Sequence, residues 1–320
     1  MSAIQKRLSN MEVRFDESEV IVIDMGSGFI KAGYSGEDLP RVVIPTVIGE
    51  RENTVEDGST QNNDGKPNKV YSKKVGNEAF AHRSDHELFH PVNRGIVTDW
   101  NRFTELLEYV FESELQVNSN QATVLMTDCP MSRKEDKHRM AQIMFEQFKV
   151  KAFALQNTAA LSLFSTGTTT GLVAESGEGV TYTVPVFEGY ALPHAMQTIN
   201  VAGQELTNKL IAELQESEIP VDESHYHLIR DVKERMCHVA MNYESEKERR
   251  DDDLSVEDRS YELPNGEIIE VSQRKRIAAA ETIFEPYNMI GVEHPEFGDR
   301  GGIANLAFRS IEKCDSDLKI

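Results

Sequence analysis

The chain has 320 residues, 39% hydrophobic and 28% charged, a balance that supplies both a globular core and a soluble surface. Its 34 Lys and Arg against 54 Asp and Glu leave a formal charge of −20, which disfavours nucleic acid and anionic membranes as direct ligands and favours basic protein segments. No run reaches the length of a transmembrane helix, Met1 to Phe15 lacks an apolar signal core, and Cys129, Cys237 and Cys314 are too scattered for a metal site and read as reduced thiols of an intracellular protein.

In chain order, Ile21-Val-Ile predicts a strand that ends at Asp24 and enters the turn Met25-Gly26-Ser27-Gly28. Phe29-Ile-Lys31 opens a second strand, and Val42 to Ile44 a third. Glycines let a backbone turn tightly and approach a phosphate with its N–H groups forward. A carboxylate at the strand end repels polyphosphate but can hold the water shell of its divalent cation. Glu50 to Asn68 contains one apolar residue, Val55, and predicts a mobile polar loop. Trp100, Phe103, Leu106, Leu107, Val110 and Phe111 recur at helical spacing, as do Met140, Ile143, Met144 and Phe148. Between them, Ala122 to Met126 reads as a short buried strand leading to Cys129-Pro130.

A second glycine turn, Glu175-Ser-Gly177-Glu178-Gly179-Val180, follows the strand-like Gly171-Leu-Val-Ala and places its carboxylate 151 positions after Asp24. One such turn is weak evidence of a ligand, whereas two suggest homologous halves clasping one nucleotide. After the strand Tyr182 to Phe187, Ala202-Gly203 starts a helix bearing Leu206, Leu210, Ile211 and Leu214. A longer helix carries Leu228, Val232, Met236, Val239 and Ala240 on one face. Glu244 to Asp253 mixes both signs of charge and reads as a solvated helix end and loop. Tyr261 to Val271, centred on Pro264-Asn265-Gly266, predicts a β-hairpin. Strands alternating with helices in two similar halves predict an α/β protein with a cleft between them.

The motifs resemble actin and the actin-related proteins. The resemblance is carried by Asp24-Met-Gly-Ser-Gly-Phe-Ile-Lys-Ala-Gly-Tyr-Ser-Gly-Glu-Asp38, Gly95-Ile-Val-Thr-Asp-Trp100 and Gln142-Ile-Met-Phe-Glu146. Further along it rests on Thr169-Thr-Gly171, Thr183-Val-Pro-Val-Phe-Glu-Gly-Tyr-Ala-Leu-Pro-His194, Arg230-Asp-Val-Lys-Glu234 and Tyr261-Glu-Leu-Pro-Asn-Gly266. It implies the bilobed actin-like fold shared with chaperones and sugar kinases, with two duplicated ribonuclease-H-like domains around a nucleotide cleft. The first lobe would comprise an inner subdomain, 1–45 and 91–165, and an outer one, 46–90; the second an inner subdomain, 166–201 and 291–320, and an outer one, 202–290. ATP or ADP with Mg2+ or Ca2+ is the implied ligand. Asp24, and through water Glu175, would serve the metal. Gly26, Ser27, Gly28 and Lys31 would hold phosphate from one lobe, and Gly177, Glu178 and Gly179 from the other. Gly203, Arg230, Lys233 and Glu234 would lie near sugar and base, where a helix-surface salt bridge among the last three is the competing reading.

Departures from the family pattern carry most of the functional information. Hydrolysing relatives place Gln, Asp and His around the attacking water, where this chain has Thr158, Glu175 and Tyr182. Thr158 is too short to span to that water, though Gln156 lies nearby; Tyr182, with a pKa near 10, is no base at neutral pH. Glu175 adds a methylene, a shift of roughly 1 Å that costs positioning. Met25 stands where the family has a polar residue. The Glu50–Asn68 segment and the charged Asn288–Gly302 segment replace apolar subunit contacts, so ordinary self-assembly is not expected. The chain stops at Cys314 to Ile320, ahead of a further family strand and Gly-Gly turn, which fits either an incomplete sequence or a short protein completed by a partner. Together these features suggest an actin-like subunit of a larger cytoskeletal or motor-associated complex in the cytoplasm, including the cilium or axoneme. Its partners would be actin or dynein-associated subunits, one lending a basic or amphipathic helix to the groove between the two outer-lobe bases, with weak or lost hydrolysis. A polymerising ATPase and a nuclear chromatin-remodeller subunit are the alternatives; a sugar kinase or chaperone would need segments that are not here.

Overall fold

The computed structural model describes residues 20–53, 70–217, 219, 221, 225–248, 259–263, 266 and 268–318. It divides into two compact units, Met1–Thr158 and Ala159–Ile320.

In the first unit, β1 (Val20–Met25), β2 (Phe29–Tyr34) and β3 (Val42–Pro45) form an antiparallel meander. Further along the chain come β9 (Thr123–Asp128) and β10 (Ala152–Asn157), which add parallel strands to give the order β10-β9-β1-β2-β3. Parallel neighbours need crossovers, and these are supplied by α2 (Trp100–Tyr109) and α3 (Lys134–Gln142), each extended by a wider π turn. Their apolar faces, Phe103, Leu106, Leu107, Met140, Ile143 and Met144, are buried with Ile21, Ile23, Ile30 and Met126 in one aliphatic core. The Asp99 carboxylate caps α2 by accepting from the amides of Asn101 and Arg102, both at 3.1 Å.

A three-stranded sheet follows the meander: β4 (Ile48–Asn53) lies between β5 (Val70–Val75) and β6 (Glu87–Phe89), with the short helix α1 (Asn77–Ala81) between β5 and β6 in sequence. This corrects the expected loop, which begins no earlier than residue 54; residues 54–69 lie outside the described ones. The polar residues Glu50 to Asn53 form a strand because ion pairs replace apolar burial. Glu50 sits opposite Lys73 and receives the Arg102 guanidinium in a fork, at 3.1 and 2.8 Å. Arg102 also donates to Asp99 at 2.6 Å and lies 3.6 Å over the Phe89 ring. The hairpin β7 (Val92–Asn93) to β8 (Ile96–Val97) then turns at Arg94 and Gly95, both at positive φ.

The second unit repeats the meander. β11 (Gly171–Ser176) pairs antiparallel with β12 (Thr181–Phe187), which also pairs β13 (Tyr190–Ala191) and β14 (Gln197–Ile199). It is preceded by α4 (Thr158–Ser165). A separate core joins α5 (Gly203–Gln215), α6 (Tyr226–Met236) and α8 (Gln273–Glu281) to the hairpin of β15 (Arg259–Glu262) and β16 (Ile268–Val271). The hairpin has the expected position, with Gly266 at φ +82; Pro264 and Asn265 lie outside the described residues. The helix expected to reach Ala240 ends at Met236, because Cys237 takes an extended backbone, and Val239 is 54% exposed. Of the mixed-charge stretch, 243–247 form α7 (Tyr243–Lys247), and 249–253 are outside the described residues. The charged Asn288–Gly302 segment begins within α9 (Pro286–Ile290), and further along it His294 is buried and bridges Gly298. Then α10 (Ile303–Glu312) packs on β12, where Ser310 and Thr183 share a buried hydroxyl bond of 2.6 Å.

Arg102→Ala removes a fork, a cap partner and a ring contact, and should cost about 1–3 kcal/mol of unfolding free energy near neutral pH. Arg102 holds the Glu50 carboxyl below its ordinary range. That stabilisation is present above the unfolded carboxylate pKa, about 4.3, and is lost as pH falls through the lower folded value. Urea unfolding of both proteins should therefore give a gap at pH 7 that narrows on acidification below about pH 4.

Candidate functional site

In the first unit the β1–β2 turn gathers Asp24, Gly26, Ser27, Gly28 and Lys31. Asp24 faces Lys31 across the two strands, with their charged groups 3.5 Å apart. The other Asp24 oxygen accepts the Thr127 hydroxyl at 2.7 Å, and Thr127 in turn accepts the Met25 amide at 3.2 Å. The Met25 side chain joins the aliphatic core, which accounts for an apolar residue within a polar turn.

Thr46 holds the back of this turn. Its hydroxyl donates to the Gly26 carbonyl at 2.7 Å and its amide to the Gly28 carbonyl at 3.0 Å. In a planar trans peptide the N–H points opposite to the C=O, so fixing the Gly26 carbonyl aims the Ser27 amide away from Thr46. The Ser27 hydroxyl accepts from the Gly95 amide at 2.8 Å. A Cβ on Gly26 would stand 2.9 Å from the Phe29 carbonyl oxygen, so only glycine fits without a shift.

The second unit builds the same device from other parts. Gly177 closes the β11–β12 turn on the Val180 carbonyl at 3.1 Å. The first amides of α5, Gly203 and Gln204, hold the carbonyls of Gly177 and Glu178 at 2.9 and 2.8 Å. By the same geometry, the amides of Glu178 and Gly179 face away from α5. Beside them, Tyr226 donates to one Glu178 carboxylate oxygen at 2.5 Å, and Lys233 donates to the Gly203 carbonyl at 2.7 Å. A Cβ on Gly203 would lie 2.8 Å from the second Glu178 oxygen and 3.3 Å from the Lys233 ammonium. Burial lowers the pKa of Lys233 and, with the Glu178 carboxylate, raises that of the Tyr226 phenol. Arg230 reaches Glu234 at 3.9 Å, and Glu234 is otherwise exposed.

Glu175 and Tyr182 are opposite one another in register, at the same seven-residue spacing as Asp24 and Lys31. Tyr182 is 7% exposed and its hydroxyl donates to one Glu175 oxygen; the Ser162 hydroxyl of α4 donates to the other. Thr158, the first residue of α4, belongs to the first unit.

The structure thus brings together Asp24, Gly26, Ser27, Gly28 and Lys31 in one unit. In the other it gathers Gly177, Glu178, Gly179, Gly203 and Lys233, with Arg230 and Glu234 on the same helix as Lys233. Sequence reasoning missed Thr46, Thr127, Ser162 and Tyr226. Tyr226 was within reach, since 226, 230 and 233 share one helical face. Thr127 becomes visible only once β9 is paired with β1, where Ile23 meets Met126.

Taken by itself, the first turn fits phosphate with a divalent cation, since its Ser27 amide is aimed forward, the Lys31 ammonium is near and Asp24 is held by a hydroxyl. Taken by itself, the second turn aims the amides of Glu178 and Gly179 as an anion would require, with the Lys233 ammonium beside it. A family model described as Actin matches residues 15–226 and 222–320. The five-stranded mixed sheet and the repeated strand-turn-strand plan agree with that match.

Gly26→Ala should cost about 1–3 kcal/mol of stability, because its new methyl meets backbone that cannot yield. Chemical denaturation of the variant and its parent measures this directly, and Gly36→Ala is a less crowded control, with nothing within 4 Å of an added Cβ although its positive φ carries its own strain.

Proposed function

Since the chain belongs to the actin family and has its α/β fold, we propose that it is a nucleotide-binding structural subunit that retains ATP or ADP with Mg2+ or Ca2+ and hydrolyses it weakly or not at all. The Glu175 carboxylate carries this reading: both its oxygens receive hydroxyl protons, from Tyr182 and Ser162. Such donors occupy the carboxylate's lone pairs and fix its direction, whereas a general base must face the proton it removes. Tyr182 is itself a donor here, and a phenol with a pKa near 10 is a poor base at neutral pH. Thr158 is too short to orient a distant water.

Bound nucleotide would supply the polyphosphate charge and the ligand energy that favours the native state. Asp24, oriented by Thr127, would arrange the cation's water shell, and Lys31 would offset phosphate charge. The amides near Ser27 and Gly28, and those of Glu178 and Gly179, would receive phosphate oxygens. Gly203, Arg230, Lys233 and Glu234 would serve the sugar and base, with Tyr226 steadying Glu178.

We place this subunit in a larger protein assembly of the cytoplasm or cytoskeleton, the cilium or axoneme included, with actin or dynein-associated subunits as the partner class. A net charge of −20 supports attraction of basic partner segments and argues against nucleic acid and anionic membranes as direct ligands. The polar strand from Glu50 and the folded-back Asn288–Gly302 segment support a subunit role over unaided filament formation.

Calorimetry with ATP and a phosphate-release assay test the reading together. ATP should bind, release should be at or below that of ordinary actins, and Tyr226→Phe should weaken binding about tenfold, the loss of one hydrogen bond to a charged group. Thr158→Gln, Glu175→Asp and Tyr182→His combined should raise release by about 10- to 100-fold through restored positioning. Robust release by the unaltered protein, abolished by Asp24→Ala, overturns the assignment of weak hydrolysis.

A further inference from the structure

We propose that His294 is a pH-sensitive latch: its neutral ring fastens the 294–298 turn to β14, and protonation releases the turn and loosens that strand. His294 is 5% exposed, and both its ring nitrogens are engaged. Nε2 lies 3.0 Å from the Thr198 carbonyl oxygen of β14, and Nδ1 lies 3.1 Å from the Glu296 amide nitrogen. A carbonyl can only accept and an amide N–H can only donate. The pair therefore selects one tautomer, with the proton on Nε2 and a lone pair on Nδ1. An imidazolium carries a proton on each nitrogen, so protonation sets the Nδ1 proton against the Glu296 N–H, losing one bond and opposing two donors.

The rest of the turn is built around the ring. His294 stacks on Phe297 with centroids 4.2 Å apart and planes 5° from parallel. Its backbone exchanges two hydrogen bonds with Gly298, at 2.7 and 2.9 Å. The Gly301 backbone passes so close that a Cβ there would stand 2.9 Å from both His294 Cβ and Ile199 Cδ1. Gly301 thus lies between His294 and Ile199, which with Val201 and Leu306 forms the local apolar cluster against which Phe297 packs.

The charged groups around the ring do not supply a second switch. From the turn comes Glu296, and from α10 comes Lys313 just past its end, the two paired at 2.7 Å. Arg309 of α10 lies 5.4 Å from the Phe297 ring, while β14, Gln197 to Ile199, has no ionisable side chain. The turn's remaining charged residues are Glu293, Asp299 and Arg300. Lys313 pulls the Glu296 carboxyl below its ordinary range, so Glu296 stays ionised where an imidazole titrates. Burial is the largest influence on His294 and lowers its pKa, against the opposing pulls of the Thr198 carbonyl and Glu296.

The sign follows from linkage. A buried neutral histidine binds fewer protons than the unfolded chain below about pH 6.5, so the stability it lends is complete above that value. It falls as pH drops toward the lower folded pKa. The loosened strand has a direct neighbour of interest, because Thr198 pairs with Tyr182, whose hydroxyl holds Glu175.

Amide hydrogen exchange of the intact chain without nucleotide, between pH 8 and 5 and corrected for intrinsic rates, tests the latch independently of the nucleotide reading. The Glu296 and Gly298 amides and those of β14 should be protected at pH 8 and lose at least tenfold of that protection at pH 5. His294→Gln, whose amide can still donate to Thr198 but cannot titrate, should lose this pH dependence. Nitrogen-15 spectra of the unaltered protein should find His294 as the Nε2–H tautomer at pH 8, with a doubly protonated fraction that rises in step with the loss of amide protection as pH falls, a measurement that needs no variant. Unchanged protection across this range, the same acid loss in His294→Gln, or loss confined to the turn with β14 intact would each overturn the proposal.

Discussion

The planarity of the peptide bond is the constraint on which both glycine turns depend. An amide can be aimed at an anion only if its partner carbonyl is held from behind, and each unit solves this differently. In the first, one threonine does the work, since Thr46 binds two carbonyls with its hydroxyl and its amide. In the second, the opening amides of α5 bind two successive carbonyls. A helix N-terminus commonly serves an anion directly. Here it serves the turn, and the turn presents the amides.

The backs of the turns are preserved in function while the groups across the strands have diverged. At the same register position, Asp24 faces an ammonium and Glu175 faces a phenol. Lys31 leaves the Asp24 carboxylate directed by charge, with one oxygen on Thr127 and the other toward an exposed cation. Tyr182 and Ser162 instead engage Glu175 from both sides by hydrogen bonds. Retaining a ligand and reacting it draw on different groups. Groups that bind ground state and transition state alike would retain a ligand, whereas a base matters only as the water is attacked. Under the proposed function, divergence in the second set would separate binding from turnover.

Much of this was legible in the chain. The two glycine turns, the carboxylates before them, the helix from Gly203 and the hairpin near Gly266 all rest on local signals that tertiary context did not override. What escaped was the polar scaffolding. Thr46, Thr127 and Ser162 are ordinary residues made important by strand pairing and helix placement, which no local spacing reveals. Glu50 misled for a related reason: a strand held by Arg102 and Lys73 has the composition of a loop. Past Met236 the opposite error occurred, since an apolar period continued beyond the point where Cys237 leaves helical backbone.

The two units also differ in what holds their sheets. The first sheet is buried among aliphatic side chains, Ile21, Ile23, Ile30, Val124 and Met126, whose contribution is non-directional and indifferent to protons. The sheet of the second unit carries a buried polar layer as well. Thr181 donates to the Val201 carbonyl at 2.6 Å, Thr183 meets Ser310, and His294 meets Thr198, all on β12 or its neighbour β14. Buried polar networks are stable when every member is satisfied and costly when one is not. The strand carrying Tyr182 is thus held by buried hydroxyl bonds in addition to the packing of Val184 and Val186. Under the proposed latch, protonation of His294 would be felt on β12 through Thr198, the residue opposite Tyr182.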